Sequence, residues 1–240
     1  MQRITSLSDY FKKYEQSVKD PEKFWAEIAD TFIWKKKWDK VLDWDFDSVD
    51  IKWFEHAKLN ITENILEKNL KDRGDKTAII WEPNDPTEPS IRLTYKELYE
   101  ETCKFSNALR EKGIKKGDRV IIYMPMVPEA AIAMLACARV GAIHSVVFAG
   151  FSSTSLADRI NDCQAKMVLT SDGNFRGNKT IPVKPVVDEA LEKCKTIESV
   201  VVLERTKQKI NMTSGRDFWW HDCISDVSSQ CEPEILDSED

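Results

Sequence analysis

The sequence predicts an α/β fold, a parallel-sheet subdomain built from successive strand–helix–strand units. Three observations carry that reading. Val120–Tyr123 is an apolar run without alternation, as in a parallel strand covered on both faces, and Ala142–Phe148 and Ala165–Thr170 read as the second and third strand runs. Helical stretches separate them, one opening with Pro128 and one with Ser152, both favourable residues at helix starts. A basic segment with two glycines, Gly173 to Lys179, follows the third run. Crossovers in series imply right-handed connections and a sheet with its ligand edge at the carboxyl ends of the strands.

Taken in order, residues 1–60 form a tryptophan-rich amino-terminal arm. Trp25, Trp34, Trp38, Trp44 and Trp53 recur among lysines and aspartates, and they read as aromatic anchors. Asp20 and Pro21 open a helix as cap and first helical residue. A second domain, 61–240, begins with a helix expected over Asn60–Leu70. Thr77–Glu82 and Ile91–Leu93 read as two strands around a loop, Glu82–Pro89, that holds three prolines. Thr94 and Glu97 form a capping-box pattern for the next helix, which Gly113 ends. Pro128–Arg139 is apolar on nearly all sides and is expected to be deeply buried. Pro182–Cys194 gives a further helix and Ile197–Leu203 a fourth strand of the sheet. Trp219–Trp220 lies in a polar segment, and the acidic end, Glu232 to Asp240, reads as a linker.

Composition narrows the function classes. The chain has 240 residues and a formal charge of −6, which argues against broad nucleic-acid binding. Its longest apolar stretch, Ala130–Ala138, is too short to span a bilayer. Met1–Lys13 lacks the apolar centre of a secretory signal. Six cysteines are scattered without a CxxC pair, so free thiols and a cytoplasmic location are expected. No histidine has metal-ligand spacing, and there is no Walker loop, G-x-G-x-x-G fingerprint or G-x-S-x-G elbow. No catalytic residue and no metal site are therefore assigned. His144 precedes a strand expected to be buried and reads as a satisfied core residue.

What remains is a binding rim. The strand-end rule brings Ala149–Gly150–Phe151 and Ser171–Lys179 to one edge. Gly150 permits close backbone approach, and Phe148 or Phe151 offers an aromatic edge. Arg176 and Lys179 flank Gly177–Asn178, so a turn there can aim both cations at a phosphate, with solvent-facing loop cations as the other reading.

Along the same rim the residues resemble the acetyl-coenzyme A synthetase family of AMP-forming ligases, within the adenylate-forming superfamily. The resemblance runs through Trp53–Phe54, Lys58–Asn60, Leu93–Leu98, Gly117–Val120, Tyr123–Glu129, Ala136–Ser152, Arg176–Lys179 and Ile181–Lys184. It implies the first part of the large amino-terminal domain of adenylate-forming enzymes. The chemistry implied is acetate and ATP, with Mg2+, giving acetyl-AMP and pyrophosphate, followed by acetyl transfer to CoA. Carried over by position, Phe148, Ala149 and Gly150 match the segment that contacts CoA. Arg176 and Lys179 match the cations near its 3′-phosphorylated ADP portion. The commoner pattern has arginine at both cation positions and Gly-Gly after the phenylalanine. Lys179 keeps the charge without the fork, and Ala149 adds a methyl, so a reshaped CoA contact is expected. The family's Thr/Ser/Gly-rich ATP phosphate loop, which follows an acidic segment like Leu236–Asp240, is not in this sequence. The expectation is an incomplete amino-terminal fragment of an acetate–CoA ligase, inactive alone. A propionate or other short-chain ligase fragment and a non-catalytic CoA-binding module are the alternatives.

A parallel sheet without its usual continuation leaves an edge uncovered. Sedimentation across a dilution series should therefore show self-association of this chain. A concentration-independent monomer with a cooperative high-temperature melt would contradict that expectation.

Overall fold

The computed structural model describes residues 4–240, so the first three residues of the polar amino-terminal stretch lie outside it. Two compact units result, one running to Asn64 with Ile235–Asp240 added, the other Ile65–Glu234.

The first unit opens with α1 (Leu7–Lys19) and α2 (Pro21–Ala29). The Asp20 side chain accepts from the Lys23 amide and Pro21 starts the helix, as its sequence implies. An antiparallel hairpin follows, β1 (Lys40–Asp45) with β2 (Asp50–Glu55), then β3 (Lys58–Leu59) and α3 (Ile61–Ile65). The aromatic residues pack on one another. Trp34 meets Trp38 edge-on at 5.3 Å, and both lie against Phe54, at 5.5 and 5.1 Å. The acidic end is not a linker, because β13 (Leu236–Asp237) pairs antiparallel with β3. Lys58 neutralises Asp237 across that pairing, and Ser238 Oγ donates to the Phe54 carbonyl.

The second unit begins at α4 (Glu67–Arg73). One continuous helix was expected over Asn60–Leu70, but it breaks at Leu66, which buries its side chain completely in the core of this unit. β4 (Thr77–Trp81) and β5 (Ile91–Thr94) form the expected hairpin. α5 (Tyr95–Glu111) carries a complete Thr94–Glu97 capping box. Then come β6 (Arg119–Tyr123), α6 (Pro128–Val140), β7 (Ile143–Val146), α7 (Ser153–Cys163) and β8 (Met167–Ser171). The chain continues through β9 (Gly173–Arg176), β10 (Lys179–Pro182), α8 (Lys184–Leu191), β11 (Ser199–Leu203), β12 (Asp217–Trp219) and α9 (Trp220–Ile224).

Five strands make one sheet in the order β12-β11-β8-β6-β7, every pair parallel. Alternate residues of β6 divide between two cores. Val120 and Ile122 join Leu98, Phe105, Ile132, Ala136 and Trp220 on one face. Ile121 and Tyr123 join Leu156, Ile160, Val187 and Val202 on the other. Burial on both faces explains the unbroken apolar run. Gly141 ends α6 in the left-handed conformation, with φ +75°.

Two expectations need correction. The strand expected over Ala142–Phe148 is short and lies at the sheet edge, with Ile143 57% and Val146 58% exposed. His144 is therefore half-buried on an edge strand, and burial lowers its pKa from the ordinary value. Trp219–Trp220, expected only as part of a polar segment, joins β12 to α9, and Trp220 is buried and stacks on Phe105 at 3.7 Å. The deep burial expected of α6 is found, with no exposed residue along it, and the helix also carries a buried cation near its end. Arg139 is 1% exposed, donates from Nε to the Cys231 carbonyl at 2.8 Å and pairs with Glu67 at 2.6 Å.

A second buried charge cluster fixes α8 against β12. Lys184, fully buried, meets Asp188 at 2.6 Å and Asp217 at 2.8 Å, and Arg216 bridges the same two carboxylates. Burial raises the Asp217 carboxyl, but hydrogen bonds from Arg216, Lys184 and the Thr213 amide outweigh it and hold the pKa below the usual range. A depressed folded-state pKa contributes stability above the unfolded value and loses it as pH falls through the folded one. Asp217→Asn should destabilise the protein by about 3 kcal/mol at neutral pH, since it leaves the fully buried Lys184 with Asp188 as its remaining carboxylate partner. Chemical denaturation should also show a shallower acid loss in the variant, and identical acid limbs would refute the assignment.

Candidate functional site

The carboxyl rim of the sheet is where the sequence-predicted residues fall. β7 ends at Val146, and the chain turns at once, with the Phe151 amide donating to the Phe148 carbonyl at 3.0 Å. Ala149 and Gly150 are the central residues of that turn. The Phe148 ring lies over Gly150, where an added Cβ would come within 2.5 Å of ring carbon Cε1. The same ring meets Phe151 edge-on at 5.9 Å, and Phe148 is 71% exposed. Tyr123 ties the turn to the sheet, its hydroxyl donating to the Phe151 carbonyl at 2.7 Å. Ser152 then caps α7.

The expected basic loop is a β-hairpin. β9 and β10 pair antiparallel with Arg176 directly opposite Lys179, so both side chains stand on one face of the ribbon. Gly177 has φ +55° at the first central position of the two-residue turn, a position that favours glycine for that reason. Both cations are exposed. The hairpin leaves the end of β8, and the aromatic turn leaves the end of β7, with β6 between those two strands. At about 4.8 Å per strand, the two groups leave the sheet on the order of 10 Å apart. Both therefore sit on one open rim, flanking the end of β6. A cleft of ≈ 470 Å³, lined among others by Leu70, Arg73, Lys96 and Tyr99, includes none of the five predicted residues.

One buried carboxylate builds the base of this rim. Asp172 follows β8 and is fully buried. Its side chain accepts from the amides of Gly173 at 2.6 Å, Arg205 at 2.9 Å, Thr206 at 3.0 Å and Gln208 at 3.1 Å. Its backbone carbonyl accepts from Val183 and Lys184, both at 3.3 Å. The start of the hairpin, its end and the segment after β11 thus converge on a single residue. Arg205 is held in turn by Glu88 in two bonds, 2.9 and 3.0 Å, with the rings of Trp81 and Phe175 near its guanidinium, at 5.1 and 4.9 Å. Sequence reading passed over Asp172, Arg205 and Glu88. The one available signal was an acidic residue between an apolar strand and a glycine.

Comparison with known proteins adds the family. A model described as AMP-binding enzyme matches residues 66–240, and one described as acetyl-coenzyme A synthetase N-terminus matches residues 10–65. This chain belongs to the AMP-binding enzyme family. Among AMP-binding relatives, the chain is 50% identical over 232 residues to acetyl-coenzyme A synthetase of Bdellovibrio bacteriovorus, covering 96% of this chain and 36% of the relative. It is 50% identical over 238 residues to the Magnetococcus marinus protein of the same name, covering 99% and 37%. It thus spans little more than a third of the length of these relatives. Acetoacetyl-CoA synthetase from Streptomyces lividans, 24% identical, superposes with a TM-score of 0.82 over 92% of this chain and 33% of that one. That likeness establishes the fold, an α/β domain with a parallel sheet of the AMP-binding kind.

Removing the Asp172 carboxylate would orphan several amides, at about 1–3 kcal/mol for each buried donor left unpaired. Asp172→Ala should therefore speed hydrogen exchange in β9, β10 and residues 204–208 while β6 stays protected. Uniform acceleration throughout the sheet would show only global destabilisation.

Proposed function

We propose that this chain is the amino-terminal part of a cytoplasmic acetate–CoA ligase, which converts acetate, ATP and CoA into acetyl-CoA, AMP and pyrophosphate through acetyl-AMP. The tryptophan-rich arm, 1–60, and the first part of the AMP-binding domain, 61–240, are its two segments. The observation that carries the reading is identity of about half over nearly the whole chain to proteins named acetyl-coenzyme A synthetase.

Within that reaction the rim serves CoA. Arg176 and Lys179, paired across the hairpin, supply two positive charges on one face for the 3′-phosphorylated nucleotide end. A guanidinium fork can engage two phosphate oxygens, whereas an ammonium acts as a point charge. The turn of Phe148, Ala149 and Gly150 offers an aromatic face and a backbone with only one methyl between them. ATP with Mg2+ is the adenylating substrate of the whole enzyme. Among the described residues no group of three or more His, Cys, Asp or Glu side chains could hold a metal. No helix among the described residues is long and apolar enough to cross a membrane.

The test is steady-state kinetics of the full-length protein. Arg176→Ala should raise KM for CoA by roughly tenfold, the loss of one charge-assisted contact, and leave KM for ATP and acetate unchanged. Lys179→Arg should lower KM for CoA by restoring the fork. Unchanged CoA kinetics in both variants would remove the hairpin from the CoA site.

A further inference from the structure

The loop between β4 and β5 reaches the tip of the basic hairpin. Asn84 grips Gly177 through both ends of its amide. Its Nδ2 donates to the Gly177 carbonyl at 2.9 Å, and its Oδ1 accepts from the Gly177 amide at 3.0 Å. Gly177 is the residue immediately after Arg176 and the first of the two turn residues that separate it from Lys179. The pairing acts as a one-residue strand extension, and it holds the turn in place without touching either cation.

The loop that carries Asn84 is itself restrained. Asp85 accepts from the Thr87 amide and hydroxyl at 2.8 and 2.7 Å, closing a local turn. Glu88 is clamped by Arg205, and the amide of Arg205 donates to Asp172. At the loop's start, Trp81 donates from Nε1 to the Met126 carbonyl at 2.8 Å. The hairpin is therefore tied at its base by Asp172 and at its tip by Asn84. Glu88 and Arg205 connect the two ties through the loop. A two-stranded ribbon with exposed cations would otherwise lose entropy on binding a phosphate. The double tie removes part of that cost before the ligand arrives.

We propose that Asn84 is a positioning residue that presets Arg176 and Lys179 for a phosphate monoester at the nucleotide end of CoA. The proposal rests on the assignment of the hairpin to CoA. It extends that assignment to a residue in a different hairpin, more than ninety positions away in sequence, and it predicts selectivity: Asn84 contributes to binding only when the phosphate monoester is present.

The experiment compares CoA with 3′-dephospho-CoA as acyl acceptors for the full-length protein, in the native form, Asn84→Ala, Asn84→Gln and Arg176→Ala. The expected result is a native preference for CoA that falls roughly three- to tenfold in Asn84→Ala, about the worth of one or two hydrogen bonds. That fall should appear in KM for CoA, with kcat, the kinetics of dephospho-CoA and the melting temperature nearly unchanged. Asn84→Gln keeps the amide and should recover part of the preference. If Arg176→Ala abolishes the preference but Asn84→Ala keeps it, Asn84 has no positioning role and the CoA assignment of the hairpin stands. If Asn84→Ala weakens both acceptors equally, the residue is merely structural and the proposal fails. A native protein with no preference between the acceptors would overturn the hairpin assignment itself.

Discussion

The rim depends on a carboxylate taken out of water and then fully occupied. The Asp172 side chain gathers the amide of the adjacent Gly173 and those of Arg205, Thr206 and Gln208, which lie 33 or more positions along the chain. A buried, unpaired carboxylate would be costly, and an amide donor left without an acceptor nearly as much so. The observed arrangement avoids both costs by bringing the start of β9 and the segment after β11 together at the end of β8. The residue's own carbonyl extends the same constraint to the entry of α8. A hairpin of two short strands has little stability of its own, so its direction is set by these bonds.

The wider fold supplies the platform. Parallel pairing across the sheet aligns the carboxyl ends of β7, β6 and β8, and helices on both faces bury what the strands cannot expose. The two buried cations, Arg139 and Lys184, fix the peripheral segments. Arg139 holds the stretch around Cys231, and Lys184 holds the start of β12 through Asp217. Each is matched by carboxylates and carbonyls, the condition under which a buried charge is tolerated. The residues proposed to meet CoA, by contrast, are exposed except for half-buried Ala149, and the restraint on the two cations comes from neighbours rather than from burial.

Much of this was legible in the sequence. The unbroken apolar run Val120–Tyr123 marked the central strand β6, because burial on two faces erases alternation, and largely apolar stretches marked β8 and β11. The Thr94–Glu97 box and Gly141 marked helix ends through local backbone chemistry. Resemblance supplied the proposed coenzyme and the five proposed site positions, which residue spacing alone would have left as a possible phosphate loop. The failures have a common cause in long-range pairing. The edge position of β7, the burial of Trp220 against Phe105 and the pairing of β13 with β3 all rest on contacts between residues distant in sequence. The hairpin was read as a loop because its strands are short and polar, and its partners are Asp172 and Asn84.

The central claim is that the preset hairpin, and not a separate pocket, receives the phosphorylated end of CoA. Hydrogen–deuterium exchange of the full-length protein with CoA and with 3′-dephospho-CoA tests it most directly. The account predicts added protection across β9 and β10 with CoA, centred on Arg176–Lys179, and clearly less with the dephosphorylated form. Equal protection by both, or protection elsewhere with the hairpin unchanged, would contradict it.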